Sequence, residues 1–395
     1  MNDAKRSTII ASLSIASVLL MIAIYFVPIW WVALTAPNYP EAAFPDGVRI
    51  NFHMNGVFNG CSLVVKDEIE EKEALDCVHE MDTINHYVGM YPIAAGGPIE
   101  RGFSPFLITL LIIMVIGFAI SNPKKRRLFL IVAFSGNAVW MTMTIYMPGG
   151  IKYENEGYLY ALMNQLDQDA NDKTLGEDVK LADTSKALKQ LKASLAGKEY
   201  HEDTSDNQAD KSAEKAAPMA EKTRLIRELK NTYENDLSNG RVSEPWKGNA
   251  YQLMAWHYGK VLGRYFNNQD EIRPMVKNLR VATNVVYFGL IGAMLLLIVV
   301  GTRPKNNIIY WLMILVPMAL PVFFVIDYSA WLWWYGHTLN SMGAFAVKPF
   351  MPTVFGEGKV AQFATFSYPS IGFGLMMLNS ILLAAIALMR RKESL

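Results

Sequence analysis

The sequence predicts an all-α integral membrane protein, with six transmembrane helices beneath an extracytoplasmic, largely helical cap. Three observations predict it. Six apolar stretches are long enough, or nearly so, to cross a bilayer as helices. The basic residues of the short connections fall on one side when those helices alternate. Just over half of the residues are apolar, aromatics are plentiful and net charge is close to zero, a composition suited to a membrane protein with substantial soluble loops.

Residues 1–34 carry the first helix, expected at Thr8–Val32. Its apolar run is too long for a cleaved signal peptide and no small-x-small site follows, so it reads as a retained anchor. A first outward loop, residues 35–104, is acidic around Asp67 to Glu73. Residues 105–147 hold the second and third helices, Pro105–Ile120 and Leu128–Met147, the former so short that it must borrow Phe103 and its neighbours. The largest soluble part is 148–280. Leu/Ala/Lys patterning suggests helices over Tyr158–Ala196, Glu221–Leu237 and Ala250–Phe266, and the polar stretch Tyr200–Ala220 reads as a linker. Residues 281–326 hold Val281–Gly301 and Ile308–Val325. The third loop, 327–369, opens on Trp331-Leu-Trp-Trp-Tyr335, an aromatic belt at a membrane surface. Ile371–Met389 is the last span, within 370–395, and no internal repeat is visible.

Lys5 and Arg6, the run Lys124 to Arg127, Arg303 with Lys305, and Arg390 to Lys392 share one side of this arrangement. By the positive-inside rule that side is the cytoplasm, which puts both termini there in a cytoplasmic (inner) membrane. All six histidines and both cysteines then lie in outward loops.

The densest chemistry is in Leu75 to Met90, which packs Cys77, His79, Met81, His86 and Met90 into one short window. Thiol, imidazole and thioether are the soft donors that favour cuprous copper. His86 and Met90 stand at i, i+4 and would share a helical face; alternatively His86 bonds a loop carbonyl and Met90 fills a packing gap. Cys77, His79 and Met81 alternate as donors on one face of a strand would. Cys61 complicates that reading, because two cysteines in an oxidising compartment usually pair, and a disulfide would withdraw both thiolates from a metal. His53-Met54 has low value as a joint site, since neighbours on a strand face opposite ways. His337, just beyond the tryptophan run, could complete a site with the first loop or stand as a polar interfacial residue. Met141, Met143 and Met147 could form a thioether ladder or simply pack. His257 reads as part of a packed helix and His201 as solvated.

Several classes lose ground. No basic stripe interleaved with aromatics favours nucleic acid, and no Gly-rich phosphate loop favours nucleotide. No C-x-x-C-H motif offers covalent haem, and no nucleophile elbow supports a hydrolase. Ionisable groups are nearly absent from the expected spans, with Asp327 at an outer end, which argues against a proton-coupled transporter.

Three separated pieces, Pro28-Ile-Trp30 with Leu34-Thr-Ala-Pro-Asn-Tyr-Pro-Glu41, Ile84-Asn-His-Tyr-Val-Gly-Met90, and Trp334-Tyr-Gly-His-Thr-Leu-Asn340, together resemble a family of multi-pass membrane proteins encoded beside the maturation genes of nitrous oxide reductase, a copper enzyme. The resemblance covers the first loop and the two ends of the chain. The sequence departs from the family in its longer second loop and in the insert from Gly60 to Asp82. The resemblance implies a genomic neighbourhood beside a copper enzyme and places His86, Met90 and His337 at motif positions, while Cys61, Cys77, His79 and Met81 lie in the departing insert. The expected function is a non-enzymatic accessory protein, bound to the membrane bilayer, that binds or relays copper for a periplasmic or membrane cuproenzyme. The alternative is a structural subunit of a larger membrane complex, such as a copper-dependent monooxygenase.

Overall fold

The computed structural model describes residues 3–62, 75–174, 221–301, 308–344, 347–360 and 362–394. The acidic run Asp67 to Glu73, the linker Tyr200–Ala220 with His201, the helical patterning beyond Thr174, and Arg303 with Lys305 lie outside the described residues.

Five helices are long and apolar enough to cross a membrane, and a bent pair makes a sixth span. Helix α1 is Asp3–Phe26. It ends earlier than the sequence suggested, because Pro28 bars continuation and Trp30 to Val32, apolar like the helix before them, belong to a strand. Helix α2, Cys77–Tyr87, lies in the first loop. Helix α3, Pro98–Ala119, starts seven residues before the expected Pro105. Gly97, at φ 59°, turns the chain and Pro98 occupies the first turn, where its missing N–H costs nothing. It is the central span: 67% of its apolar window is buried against at most 33% in the others. Helix α4 is Pro123–Tyr146, capped by Asn122, whose side chain accepts from the amides of Lys124 and Lys125.

Three helices follow in the cap: α5 Glu156–Thr174, α6 Glu221–Ser238 and α7 Ala250–Leu262. Leu225, Leu229 and Tyr233 of α6 are buried, the i, i+4, i+8 stripe of an amphipathic helix. Helix α8, Gln269–Gly301, rises from the cap through the membrane as one rod. The next span is broken. Helix α9, Leu312–Met318, meets α10, Leu320–His337, at a 52° bend, where Pro317 and Pro321 flank the junction. Because α10 runs on to His337, the Trp331–Tyr335 belt is helical, not part of a loop opening at Asp327. Helix α11, Ile371–Ser394, completes the bundle.

The cap is not purely helical, which corrects the all-α expectation. A five-stranded antiparallel sheet has the order β3-β2-β1-β5-β4, from β1 Trp30–Thr35, β2 Val48–His53, β3 Gly56–Asn59, β4 Gly356–Val360 and β5 Phe363–Pro369. In the central strand, Trp30 pairs with Phe52 on one side and Pro369 on the other. Trp30, Val32 and Leu34 alternate onto one face with Val48 and Ile50, and α2 covers that face with Cys77, Val78, Met81 and Ile84. Strand β1 follows α1 and strand β5 precedes α11, so the sheet holds these two spans side by side. Ser17 Oγ donates to Asn379 Oδ1 at 2.6 Å between them.

At the end of the bundle away from the sheet, two fully buried arginines close the helix ends. Arg390 donates to the carbonyls of Phe118 and Ala119, both at 2.8 Å. Arg126 donates to the Gly301 carbonyl at 2.7 Å. Cations there satisfy the last carbonyls and complement the helix dipole. Arg390→Leu should strip two buried acceptors of their donor and lower stability in detergent by at least about 2 kcal/mol, whereas the exposed Arg127→Leu should change it by less than about 0.5 kcal/mol. Equal losses in denaturant titrations of the two variants would contradict the capping role.

Candidate functional site

The residues that converge on a cavity are set by the start of α3. The segment 92–97 passes from cap to bundle, and its buried backbone must find partners. Tyr335 Oη donates to the carbonyls of Pro92 and Ile93 at 3.1 and 3.3 Å. Gln165 Nε2 donates to the Ala94 carbonyl at 2.8 Å. Asp82 Oδ1 accepts from the Ala94 amide at 3.4 Å. Arg101 reaches back with Nη2 to the Ala95 carbonyl and Nε to the Gly97 carbonyl, both at 3.3 Å. Gly96 is required here, because a Cβ would stand 2.7 Å from the Tyr335 hydroxyl.

This turn projects Glu100 and Arg101 into a cavity of about 270 Å³ between α3, α10, the start of α11 and strands β2 and β3. Its walls are mainly apolar: Ile29, Phe52, Leu107, Leu320, Phe323, Phe324 and Met376. The polar groups gather around Glu100, Arg101 and Asp327, with Tyr328 and Trp331 beside them and His53 on the sheet side. Trp331 Nε1 donates to Glu100 Oε1 at 3.3 Å. Among the described residues, Glu100 Oε2 and Arg101 Nη1 have no hydrogen-bond partner, although Arg101 is only 5% exposed. Asp327 faces Glu100 closely enough for the two carboxyls to interact. Burial lowers the pKa of the His53 imidazole below its usual value, opposed by its bond to the Phe26 carbonyl, so this ring favours its neutral form. An apolar chamber with two carboxyls and an unsatisfied guanidinium N–H suits a ligand with an apolar body and a charged group, since weak dielectric screening strengthens each polar contact.

The residues singled out from the sequence are placed differently. His86 sits in the last turn of α2, its Nδ1 bonded to the Thr83 carbonyl at 2.6 Å and its ring stacked on Tyr265 at 4.7 Å. Met90 does not share a helical face with it: the helix stops at Tyr87, Gly89 turns at φ 86°, and Met90 is buried beyond that turn. His337 is exposed, with Nδ1 bonded to the Trp333 carbonyl at 2.8 Å and its ring stacked on Trp333 at 4.4 Å. The loop after it does reach the window, since the Asn340 amide donates to the Gly89 carbonyl at 2.8 Å. Cys77, His79 and Met81 lie on a helix, not a strand, so Cys77 and Met81 share the buried face and His79 turns away from them. Cys61 and Cys77 form a disulfide with Cα atoms 6.0 Å apart. Among the described residues, no three His, Cys, Asp or Glu side chains are grouped as a metal site. His257 is buried as the helical patterning suggested, its Nε2 bonded to the Leu162 carbonyl at 3.1 Å.

Glu100, Arg101 and Asp327 were not singled out as a site. Gly96-Gly97-Pro98 is a helix-start signal that would have brought Glu100 and Arg101 into the first turns of a span. Their meeting with Asp327 has no local signature.

Comparison with protein-family models, with curated proteins and with solved structures returned no match to this chain.

Asp82, which fastens α2 to this junction, is fully buried. Burial pushes its carboxyl up, and Arg264 and the backbone amides of Ala94 and Ile93 pull it back only in part, to about 7. The folded chain then holds a proton that the unfolded chain releases near 3.8, so this group costs stability as pH rises through that interval. Asp82→Asn removes the dependence. Relative to the parent, the variant should gain roughly 1–3 kcal/mol between pH 5 and pH 8, read from thermal unfolding at both values; a constant difference would show that the carboxyl stays ionised.

Proposed function

We propose that this chain is a multi-pass membrane binding protein that takes a small apolar molecule bearing a cationic group into the cavity beneath its sheet. The observation that carries this reading is the Glu100–Asp327 pair in an apolar chamber, with Glu100 Oε2 left without a hydrogen-bond partner among the described residues. Two carboxyls at close range in an apolar chamber resist ionising together, and a cation beside them lets both carry charge. Tyr328 and Trp331 line the same end and add aromatic faces that attract an ammonium. The bend between α9 and α10 supports the reading as well, because broken spans beside a cavity are a recurrent way to build ligand sites within membranes. We also propose that the sheet and helical cap face the extracytoplasmic side. The Cys61–Cys77 disulfide supports that orientation, as do the basic residues at the opposite end of the bundle.

In the test, the purified protein is titrated with benzylammonium, whose N–H groups can reach Glu100, and with the neutral isostere benzyl alcohol. The ammonium should bind and raise the unfolding temperature, and Asp327→Asn should weaken it by about tenfold while sparing the fold. Equal binding of the neutral isostere would remove the cationic group from the reading.

A second reading keeps the accessory role in copper handling for a periplasmic or membrane cuproenzyme, which the motif resemblance suggests. One observation favours it: His86 and His337 both bond a backbone carbonyl through Nδ1. When Nδ1 donates, Nε2 carries the lone pair that a metal takes. Stoichiometric copper on protein isolated from its membrane, lost in His86→Ala, would establish this reading; copper retained in that variant would take His86 out of it.

A further inference from the structure

A second polar group is stranded at the membrane surface, away from the cavity beneath the sheet. Glu154 follows the 3₁₀ turn Gly150–Tyr153, just beyond the end of α4, and is 1% exposed. Its Oε1 accepts from the Asn155 amide at 3.1 Å, and among the described residues its Oε2 has no partner. Lys222 of α6 reaches the same spot, donating to the Glu154 backbone carbonyl at 2.5 Å. Burial pushes the Glu154 carboxyl up, the Asn155 amide and the Lys222 ammonium pull it back, and the balance lies at about 8.

Both side chains line the head of a groove of about 480 Å³ that descends between α1 and α3, along Ile22, Phe26, Ile108 and Ile112. Ile22 and Phe26 are 45% and 64% exposed, so the groove opens toward the lipid. Its top is charged and its length is apolar, the layout of a phospholipid headgroup and chain.

We propose that this groove binds a phospholipid with a primary amine headgroup, of the phosphatidylethanolamine class. The headgroup ammonium donates to Glu154 Oε2, the phosphate pairs with Lys222 Nζ, and an acyl chain lies between α1 and α3. The stranded carboxylate oxygen sets the preference. Buried alone it favours the protonated form, and a cationic N–H donor both ionises it and bonds it; a quaternary choline lacks the N–H, and a glycerol headgroup provides hydroxyls but no cation. The inference is independent of what occupies the other cavity.

Native mass spectrometry of the delipidated full chain, with dioleoyl phosphatidylethanolamine, phosphatidylcholine and phosphatidylglycerol supplied in equal amounts, tests it. One phosphatidylethanolamine should be retained over each of the others by about tenfold, and Glu154→Gln should abolish that preference while leaving the unfolding temperature within a few degrees. Lys222→Met, on a partly exposed helix face, should weaken retention similarly and serves if the first variant does not fold. Equal retention of the three lipids by the parent, or an undiminished preference in a folded variant, overturns the proposal.

Discussion

The fold depends on how the backbone at 92–97 is satisfied where the chain leaves the cap and enters its central helix. Side chains from α2, α3, α5 and α10 all bond this one turn. A buried carbonyl or amide without a partner costs as much as a lost hydrogen bond, so the four elements are tied to each other through a segment that makes no regular ladder. The turn also fixes where α3 begins, hence the direction in which Glu100 and Arg101 project. The position of the cavity follows from this junction and not from the helices that wall it.

What could be read from the sequence follows the range of the interactions. Spans are written locally in long apolar runs, and their number and order agree with the structure when the bent pair counts as one. Cap helices such as Glu221–Ser238 are written in a stripe of leucines. The sheet is different: Trp30, Trp31 and Val32 are as apolar as the helix before them, and their partners on β5 lie at the far end of the chain. Short strands paired at such distance leave no periodic trace, so the apolar run to Val32 reads as one helix, although Pro28 ends it.

The site divides the same way. The donor types at Cys77, His79, Met81, His86 and Met90 are chemically unusual together. Side-chain type does not encode which face a residue presents, and here Met81 and Met90 are buried while His86 stacks on Tyr265. The carboxyls of Glu100 and Asp327 are ordinary residues on their own. Burial in an apolar chamber and mutual proximity make them notable, and both are tertiary facts. Glu154 belongs to the same class: an ordinary acid in the sequence, distinctive only because one of its oxygens has no donor among the described residues.

The sheet joins the strand that follows α1 to the strand that precedes α11, with Ser17 and Asn379 bonded below them. A ribosome delivers the first of these spans to the bilayer long before the last. Until then β1 can pair with β2 alone, leaving its other edge bare, the kind of edge that recruits foreign strands. Biogenesis therefore couples two late arrivals: β5, which seals that edge, and α11, which gives α1 its neighbour. A nascent chain stalled in its late loop would hold most of its helices in lipid and still be the form most exposed to quality-control proteases.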